Sequence, residues 1–224
     1  MEVNRFRILH ASHLDQKYAL EDKILKEYPQ EIKRLTEQID GYTADIRTLE
    51  QNTPADKETF PPMMIGGILY AEKTNAGRAI IEACKSMVSP NAVPLGEYRG
   101  FAMELYFDTF KEYHMALHGA MTHEVKIGAD IHGNIARINN VLESFVGSLN
   151  KYGNRLADVR AQMESAKCEV NRPFPQEAEY QDKSARLKEL NILLKLDEKD
   201  HEILDAEPDE GDIELKQPNR SLER

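Results

Sequence analysis

Two long stretches of the chain repeat apolar residues at alternating steps of three and four, and this spacing limits the possible folds more than any other feature. Such spacing places a narrow apolar stripe along one side of a helix, as in coiled coils. The first stripe consists of Leu25, Tyr28, Ile32, Leu35, Ile39, Tyr42, Ile46 and Leu49. The second consists of Leu142, Phe145, Leu149, Tyr152, Leu156, Val159, Met163, Ala166 and Val170. The sequence therefore predicts two long helices.

The two stripes have similar lengths, and the apolar residues of each must pack against another element to be removed from water. We expect them to pack on each other as an antiparallel hairpin within one chain, with dimerisation as the alternative. Pro29 lies inside the first stripe and lacks a backbone donor, so this helix either starts near Tyr28 or is kinked there after an earlier helix. A third helix is predicted over residues 177–196, where it could cover one flank of the hairpin.

Between the stripes the pattern changes to that of strands. Two short apolar runs, residues 63–65 and 68–70, flank Gly66-Gly67, and adjacent glycines suit the positive φ angles of a tight hairpin turn. A helix is predicted from Thr74 or Asn75 to about Val88. Strict alternation of apolar and polar residues then predicts strands over 101–108 and 113–118, extended by Val125 and Ile127, with one buried and one solvated face.

These elements define an α+β fold class: a long antiparallel coiled-coil helical hairpin that carries a small antiparallel β-meander with one helix. The expected domains are the N-terminal helices with the first arm (1–53), the small α+β domain (54–134), the second arm with the covering helix (135–196) and an acidic tail (197–224). Most of the formal net charge of -10 lies in this tail. With few apolar residues to bury, we expect the tail to be disordered and solubilising.

The sequence contains no familiar catalytic or cofactor motif. It has neither a phosphate-binding Gly-x-x-x-x-Gly-Lys loop nor a dinucleotide fingerprint nor a Gly-x-Ser-x-Gly elbow. Cys84 and Cys168 lie far apart without Cys-x-x-Cys spacing, which argues against a disulfide framework and favours a reducing compartment. We therefore expect a cytoplasmic protein that is not an enzyme, with no catalytic residues, no cofactor and no membrane contact.

Several of the seven histidines are candidate metal ligands. His114 and His118 would share one strand face, with His123 and His132 on nearby turns. Strand positions four apart stand ~13 Å from each other, too far for both to bind one ion. We expect solvated histidines and no metal.

Nucleic-acid contact is suggested by basic residues on the second long helix. The six candidates are Arg137, Lys151, Arg155, Arg160, Lys167 and Arg172. Lysine and arginine on one side of a helix can contact phosphates, but they also form the ordinary solvated exterior of a coiled coil. Weak DNA binding is one interpretation, and a solvated helix face is the other.

Several strings, in order, carry a family resemblance. They are Phe60-Pro-Pro-Met-Met-Ile-Gly-Gly and its continuation to Cys84, the segment 98–108, Gly128-Ala-Asp-Ile-His-Gly-Asn-Ile, Arg172-Pro-Phe-Pro-Gln and the segment 187–194. Together they resemble the C-terminal region of very large SNF2-type helicase and N6-adenine DNA methylase-like proteins of bacterial conjugative transposons. The resemblance covers about residues 28–210. It transfers no catalytic site, because the helicase and methylase motifs of that family lie upstream of this region.

The resemblance implies a role in DNA processing, transfer or protection from host defence. We therefore expect a non-catalytic accessory module that contacts DNA or a protein partner, either the helicase–methylase machinery or a host nuclease. One alternative is a stand-alone inhibitor of a host defence nuclease, of the anti-CRISPR or anti-restriction type. The other is a purely structural dimerisation stalk. A monomer is the expected state, with a dimer as its competitor.

Overall fold

The computed structural model describes residues 2–56 and 59–204, with side chains described up to Lys195 in the last helix. The chain divides into two compact units. One unit is Ala19–Asn171, and the other combines residues 2–18 with residues 172–204 among those described. Of the helices described, none is both long and apolar enough to span a membrane.

The unit Ala19–Asn171 is built on a six-stranded antiparallel sheet with the order β2-β1-β3-β4-β5-β6. The strands are β1 (Met63–Ile65), β2 (Ile68–Tyr70), β3 (Val93–Tyr98), β4 (Phe101–Phe107), β5 (Tyr113–His118) and β6 (Thr122–Ile127). The α+β class is confirmed, and so is the short hairpin around Gly66-Gly67, whose φ angles are 58° and 81°. The sheet is larger than the small meander that the sequence predicted.

Strand β3 is the strand that the sequence pattern missed, because Pro94 and Gly96 interrupt its alternation. The pairing of β3 with β4 shifts register between these two residues, as at a β-bulge. Gly96 has a φ of 152°, and a Cβ there would collide with the backbone carbonyl oxygen of Met64 on β1. Pro94 and Gly96 therefore both obscure the strand pattern in the sequence and accommodate the bulge in the structure.

Six helices and one π-helical turn complete the described structure. They are α1 (Glu2–Asp22), the π-helical turn (Lys23–Glu27), α2 (Tyr28–Gln51), α3 (Lys73–Ser86), α4 (Ile131–Glu143), α5 (Phe145–Val170) and α6 (Glu177–Leu204). Helix α2 begins at Tyr28, as expected from Pro29. The backbone N–H of Tyr28 bonds to the carbonyl of Lys23, five residues back. The π-helical turn thus precedes the proline, which has no N–H to continue the regular pattern.

The core lies between one face of the sheet and the helices. Residues of α3 and α4, among them Ile80, Ile135 and Ile138, are buried with the apolar side chains of the strands. The sequence predicted one helix on the sheet, whereas α3, α4 and the start of α5 contribute buried residues to this core, and α2 packs against it. Helix α4 was missed because α4 and α5 read as one continuous helix, which the structure interrupts at Ser144.

Helices α2 and α5 pack against each other in the antiparallel sense. Tyr42 stacks on Tyr152 with ring centroids 5.5 Å apart and contacts Phe145 at 5.8 Å. Toward the start of α2, Glu31 lies beside Arg155, further along α5. A coiled coil that carries the sheet as a stalk is not shown, because Tyr42 and Phe145 pack on the core of the sheet itself.

The second unit is formed by the first part of α1 with α6. Phe6 is buried, and Lys183 Nζ lies 5.1 Å from its ring centroid and 3.0 Å from the Glu2 carboxylate. His10 stacks on Tyr180 at 5.3 Å. Helix α6 continues to Leu204, beyond its predicted end at 196. The rest of the predicted disordered tail, residues 205–224, lies outside the described residues.

The two cysteines are expected to differ sharply in reactivity. Cys84 is buried on α3, and burial raises the pKa of its thiol to about 11, whereas Cys168 is exposed on α5. Since the thiolate is the reactive form, a thiol reagent at pH 8 should label Cys168 rapidly and Cys84 only after unfolding. Mass spectrometry of the labelled chain checks this. Loss of the fast phase in Cys168→Ser is the control, and rapid labelling of native Cys84 would contradict the prediction.

Candidate functional site

The sheet presents one apolar face and one polar face. Alternate residues of β4, β5 and β6 are buried in the core: Met103, Leu105, Met115, Leu117, Val125 and Ile127. The residues between them form what we call the outer face, which carries Glu104, Tyr106, His114, His118, Glu124 and Lys126. The alternation that predicted one dry and one wet face is confirmed. The outer face therefore brings several titratable side chains next to one another.

Two histidines of the outer face each lie against a glutamate. His118 Nε2 is 3.1 Å from Glu104 Oε2, and its side chain is 37% exposed, as expected for a solvated histidine. His114 differs, because its side chain is only 15% exposed and its Nδ1 lies 2.6 Å from Glu124 Oε1. Its ring stacks on Tyr106 with centroids 5.4 Å apart. Burial, followed by the charge of Glu124, raises the pKa of Tyr106. The expectation of a solvated His114 was wrong.

The loop between β4 and β5 is held in a fixed shape by Asp108. Its Oδ1 accepts hydrogen bonds from the backbone N–H groups of Phe110 and Glu112, each at 2.9 Å. Its own N–H donates to the carbonyl of Glu112 at 3.0 Å, and Lys111 adopts a φ of 60° to close the turn. This local hydrogen bonding is typical of aspartate in turns. It returns Glu112 to the side of Asp108.

The same loop brings three side chains of metal-ligating type together. One potential donor atom from each of Asp108, Glu112 and His114 lies within 4.8 Å of the others. His114 Nε2 is 3.8 Å from Asp108 Oδ2, while Lys126 Nζ is 2.6 Å from Glu112 Oε2. The spacing of histidines along single strands did not predict this group. The signal was Asp-x-x-x-Glu-x-His across the predicted turn between two strands, where a hairpin brings both ends to one face.

The other histidines considered as ligands have different surroundings. His123 lies on β6 and is buried, so the expectation of a solvated histidine on a turn was wrong for it as well. Its Nε2 lies 2.7 Å from Asp45 Oδ2 of α2. Asp45, fully buried, also accepts hydrogen bonds from the backbone N–H groups of Ala120 and Met121. This cluster ties the β5–β6 turn to α2, so it is a structural contact. His132 is exposed near the start of α4.

The six basic residues predicted to contact DNA do not share one face. Lys151, Arg155, Arg160 and Lys167 lie on α5, Arg137 lies on α4, and Arg172 belongs to the other unit. At 3.6 residues per turn, Arg155 and Arg160 point about 140° apart. Lys151 falls near Arg155, and Lys167 falls near Arg160. Lys167 also pairs with Glu164 at 2.8 Å, and Arg137 donates to Asn134. The DNA contact stays a prediction, without a single basic edge on α5.

The two edges of the sheet differ in chemistry. Edge strand β6 alternates buried residues with Thr122, Glu124 and Lys126. Charged side chains on an edge strand disfavour pairing with a strand of another chain. Edge strand β2 carries Ile68 and Leu69, which are 59% and 64% exposed. In the described part of the chain, β2 pairs only with β1. The backbone of its outward side is therefore open to pairing.

A shallow groove continues from β2 onto the outer face. Its volume is about 170 Å³, and its lining includes Pro61, Pro62, Met64, Leu69 and Arg99. Met64 lies directly opposite Leu69 in the register of β1 and β2, and it is also exposed. We call β2 with this groove the β2 edge. It combines unpaired backbone, exposed apolar side chains and a pocket of side-chain size.

Comparisons with protein-family models, with curated proteins and with solved structures give no match to this chain.

Proposed function

We propose that the chain is a non-catalytic, cytoplasmic interaction module that binds an extended segment of a protein partner along the β2 edge. The observation that carries the proposal is the contrast between the two sheet edges. A partner strand added to β2 would pair with its open backbone, and pockets on alternate sides of the added strand would select its side chains. The resemblance described above supplies the context, a helicase–DNA methylase system of a mobile element.

Both sides of β2 contribute apolar surface to such a contact. Leu69 and Met64 lie on the outer face, while Ile68 pairs with Ile65, whose side chain enters the core. Ile68 nevertheless remains exposed at the margin of the sheet. A strand that extends the sheet beside β2 would cover apolar surface on both faces at once. This favours an extended protein segment over DNA, which would require a basic surface.

The hairpin of α2 and α5 would hold this edge in place within the unit. Because Tyr42, Ile46 and Leu49 of α2 pack on the core of the sheet, the helical pair and the sheet form one body. We propose that the predicted coiled-coil character applies to the part of the pair beyond this core. Its role would be to support the docking surface.

The proposal predicts site-specific crosslinking. A photo-reactive amino acid at position 69 should crosslink, in cells that carry the mobile element, to a component of its helicase–methylase machinery. The matched control places the same group at Glu124 on the charged edge strand β6, where we expect at least tenfold less product. Leu69→Lys in a chain that carries the crosslinker at Met64 should abolish the product without lowering the melting temperature, because Leu69 is exposed.

Each other outcome of this experiment is informative. Crosslinks from position 69 to a restriction or CRISPR nuclease would overturn the accessory role and support the alternative of an inhibitor. Crosslinks only to a second copy of the chain would support the dimerisation stalk. Equal products from positions 69 and 124 would show that the β2 edge has no special role.

A further inference from the structure

We propose that Asp108, Glu112 and His114 bind one divalent transition-metal ion of the Zn²⁺ or Mn²⁺ type. One imidazole nitrogen and two carboxylates form a donor set that suits these ions, which accept both nitrogen and oxygen ligands. Purely oxygen-ligated ions such as Mg²⁺ and Ca²⁺ would make no use of the histidine. The site lies at the opposite end of the β4–β6 hairpins from the His118–Glu104 pair.

The distances suit a single ion after small side-chain rotations. Ligand atoms about 2.1 Å from a tetrahedral ion stand roughly 3.4 Å from each other. His114 Nε2 and Asp108 Oδ2 are 3.8 Å apart, and the three donor atoms lie within 4.8 Å. The hydrogen bonds of Asp108 Oδ1 to the loop leave Oδ2 directed at the imidazole. The loop backbone therefore holds the Asp108 carboxylate in place before an ion binds.

The surroundings of His114 give an independent argument. Both of its ring nitrogens are buried, and neither has a hydrogen-bond partner of acceptable geometry among the described residues. Nδ1 lies against Glu124 Oε1 at 2.6 Å, whereas Nε2 lies 3.8 Å from Asp108 Oδ2, on the side of the proposed ion. A ligating histidine usually donates its other ring N–H to a carboxylate, and Glu124 lies close enough to accept this hydrogen bond after a small rotation. A metal ion at Nε2 would satisfy a buried polar atom that is otherwise left without a partner.

Lys126 occupies the position of a competing cation. Its Nζ lies 2.6 Å from Glu112 Oε2, and the pair is largely exposed. An exposed ion pair of this kind contributes little to stability, so a metal ion can displace the ammonium group. Removal of the lysine charge should therefore strengthen metal binding. An increase in metal affinity on loss of Lys126 would distinguish a metal site from a purely structural cluster. In a structural cluster the lysine would only stabilise the charge of Glu112.

The test is calorimetric titration of the full metal-free chain with Zn²⁺ and with Mn²⁺. We expect one site, and we expect His114→Gln and Glu112→Gln each to weaken it at least tenfold. Lys126→Met should tighten it about threefold or more. The matched control is His118→Gln, which makes the same chemical change on the same face and should leave affinity within twofold. Circular dichroism in the presence of a chelator confirms that each variant is folded.

Glu112→Gln is the decisive variant, because Glu112 is exposed and its loss should not disturb folding. With Co²⁺ as the probe, the wild-type chain should show a visible absorption band that disappears in His114→Gln and persists in His118→Gln. The proposal is overturned if neither Zn²⁺ nor Mn²⁺ binds at millimolar concentration. It is equally overturned if His118→Gln weakens binding as much as His114→Gln does.

Discussion

Replacement of Asp45 by alanine should lower the free energy of unfolding by about 3–5 kcal/mol, because it leaves several buried hydrogen-bond donors without an acceptor. Asp45 is fully buried and accepts hydrogen bonds from two backbone N–H groups of the β5–β6 turn. The alanine variant would leave those N–H groups and His123 without an acceptor. Each unsatisfied buried donor costs about 1–3 kcal/mol, which is why the expected effect is large.

The measurement is urea denaturation followed by circular dichroism. Asp40→Ala is the matched control, since Asp40 is an exposed aspartate of the same helix. We expect the control to change stability by less than about 0.5 kcal/mol. Comparable losses in the two variants would show that Asp45 does not tie α2 to the sheet.

The importance of Asp45 could not have been predicted from its local sequence. Asp45 follows Tyr42 by three residues and directly precedes Ile46, so it lies beside the apolar stripe of α2. A charged residue at such a position is predicted to be solvent-exposed. Its partners lie far away in the sequence, at the turn near Ala120 and at His123. Gly119 is needed beside it, because a Cβ there would collide with the Asp45 carboxylate. Only the tertiary fold makes this contact evident.

The sequence pattern predicted those elements whose formation depends on neighbouring residues in the chain. The hairpin around Gly66-Gly67 and the strands β4 and β5 follow from turn chemistry and from alternation, and the structure confirms them. Strand β3 could not be found, because its bulge at Pro94 and Gly96 removes the alternation. The group of Asp108, Glu112 and His114 was missed for a related reason. Its members lie on both sides of a turn, so their proximity requires the strand pairing to be known.

The α-helical stripes predicted the buried faces of α2 and α5 but not their full roles. A spacing of three and four residues fixes which side of a helix is covered, not what covers it. The stripe residues Tyr42 and Phe145 pack on the sheet core, whereas Leu35 is buried outside that core cluster. Leu35 is therefore the stripe residue at which the pairing of the two helices can be tested most directly.

Leu35→Asp should cost at least about 4 kcal/mol, because it removes a buried leucine and places an unpaired charge in its position. Leu35 is 1% exposed on α2, one turn from Glu31, which lies beside Arg155 of α5. Leu25→Asp makes the same chemical change in the π-helical turn, where the leucine is 73% exposed. We expect that control to lose less than about 0.5 kcal/mol.

The same denaturation experiment distinguishes intramolecular packing from dimerisation. If α2 packs on α5 of its own chain, the urea midpoint of the wild-type protein should not depend on protein concentration, and light scattering should show a monomer. A urea midpoint that rises with protein concentration, together with loss of the dimer in Leu35→Asp, would show that a second copy of the chain buries Leu35. That result would also favour the dimerisation stalk over the docking module, because the stripe would then serve association between chains.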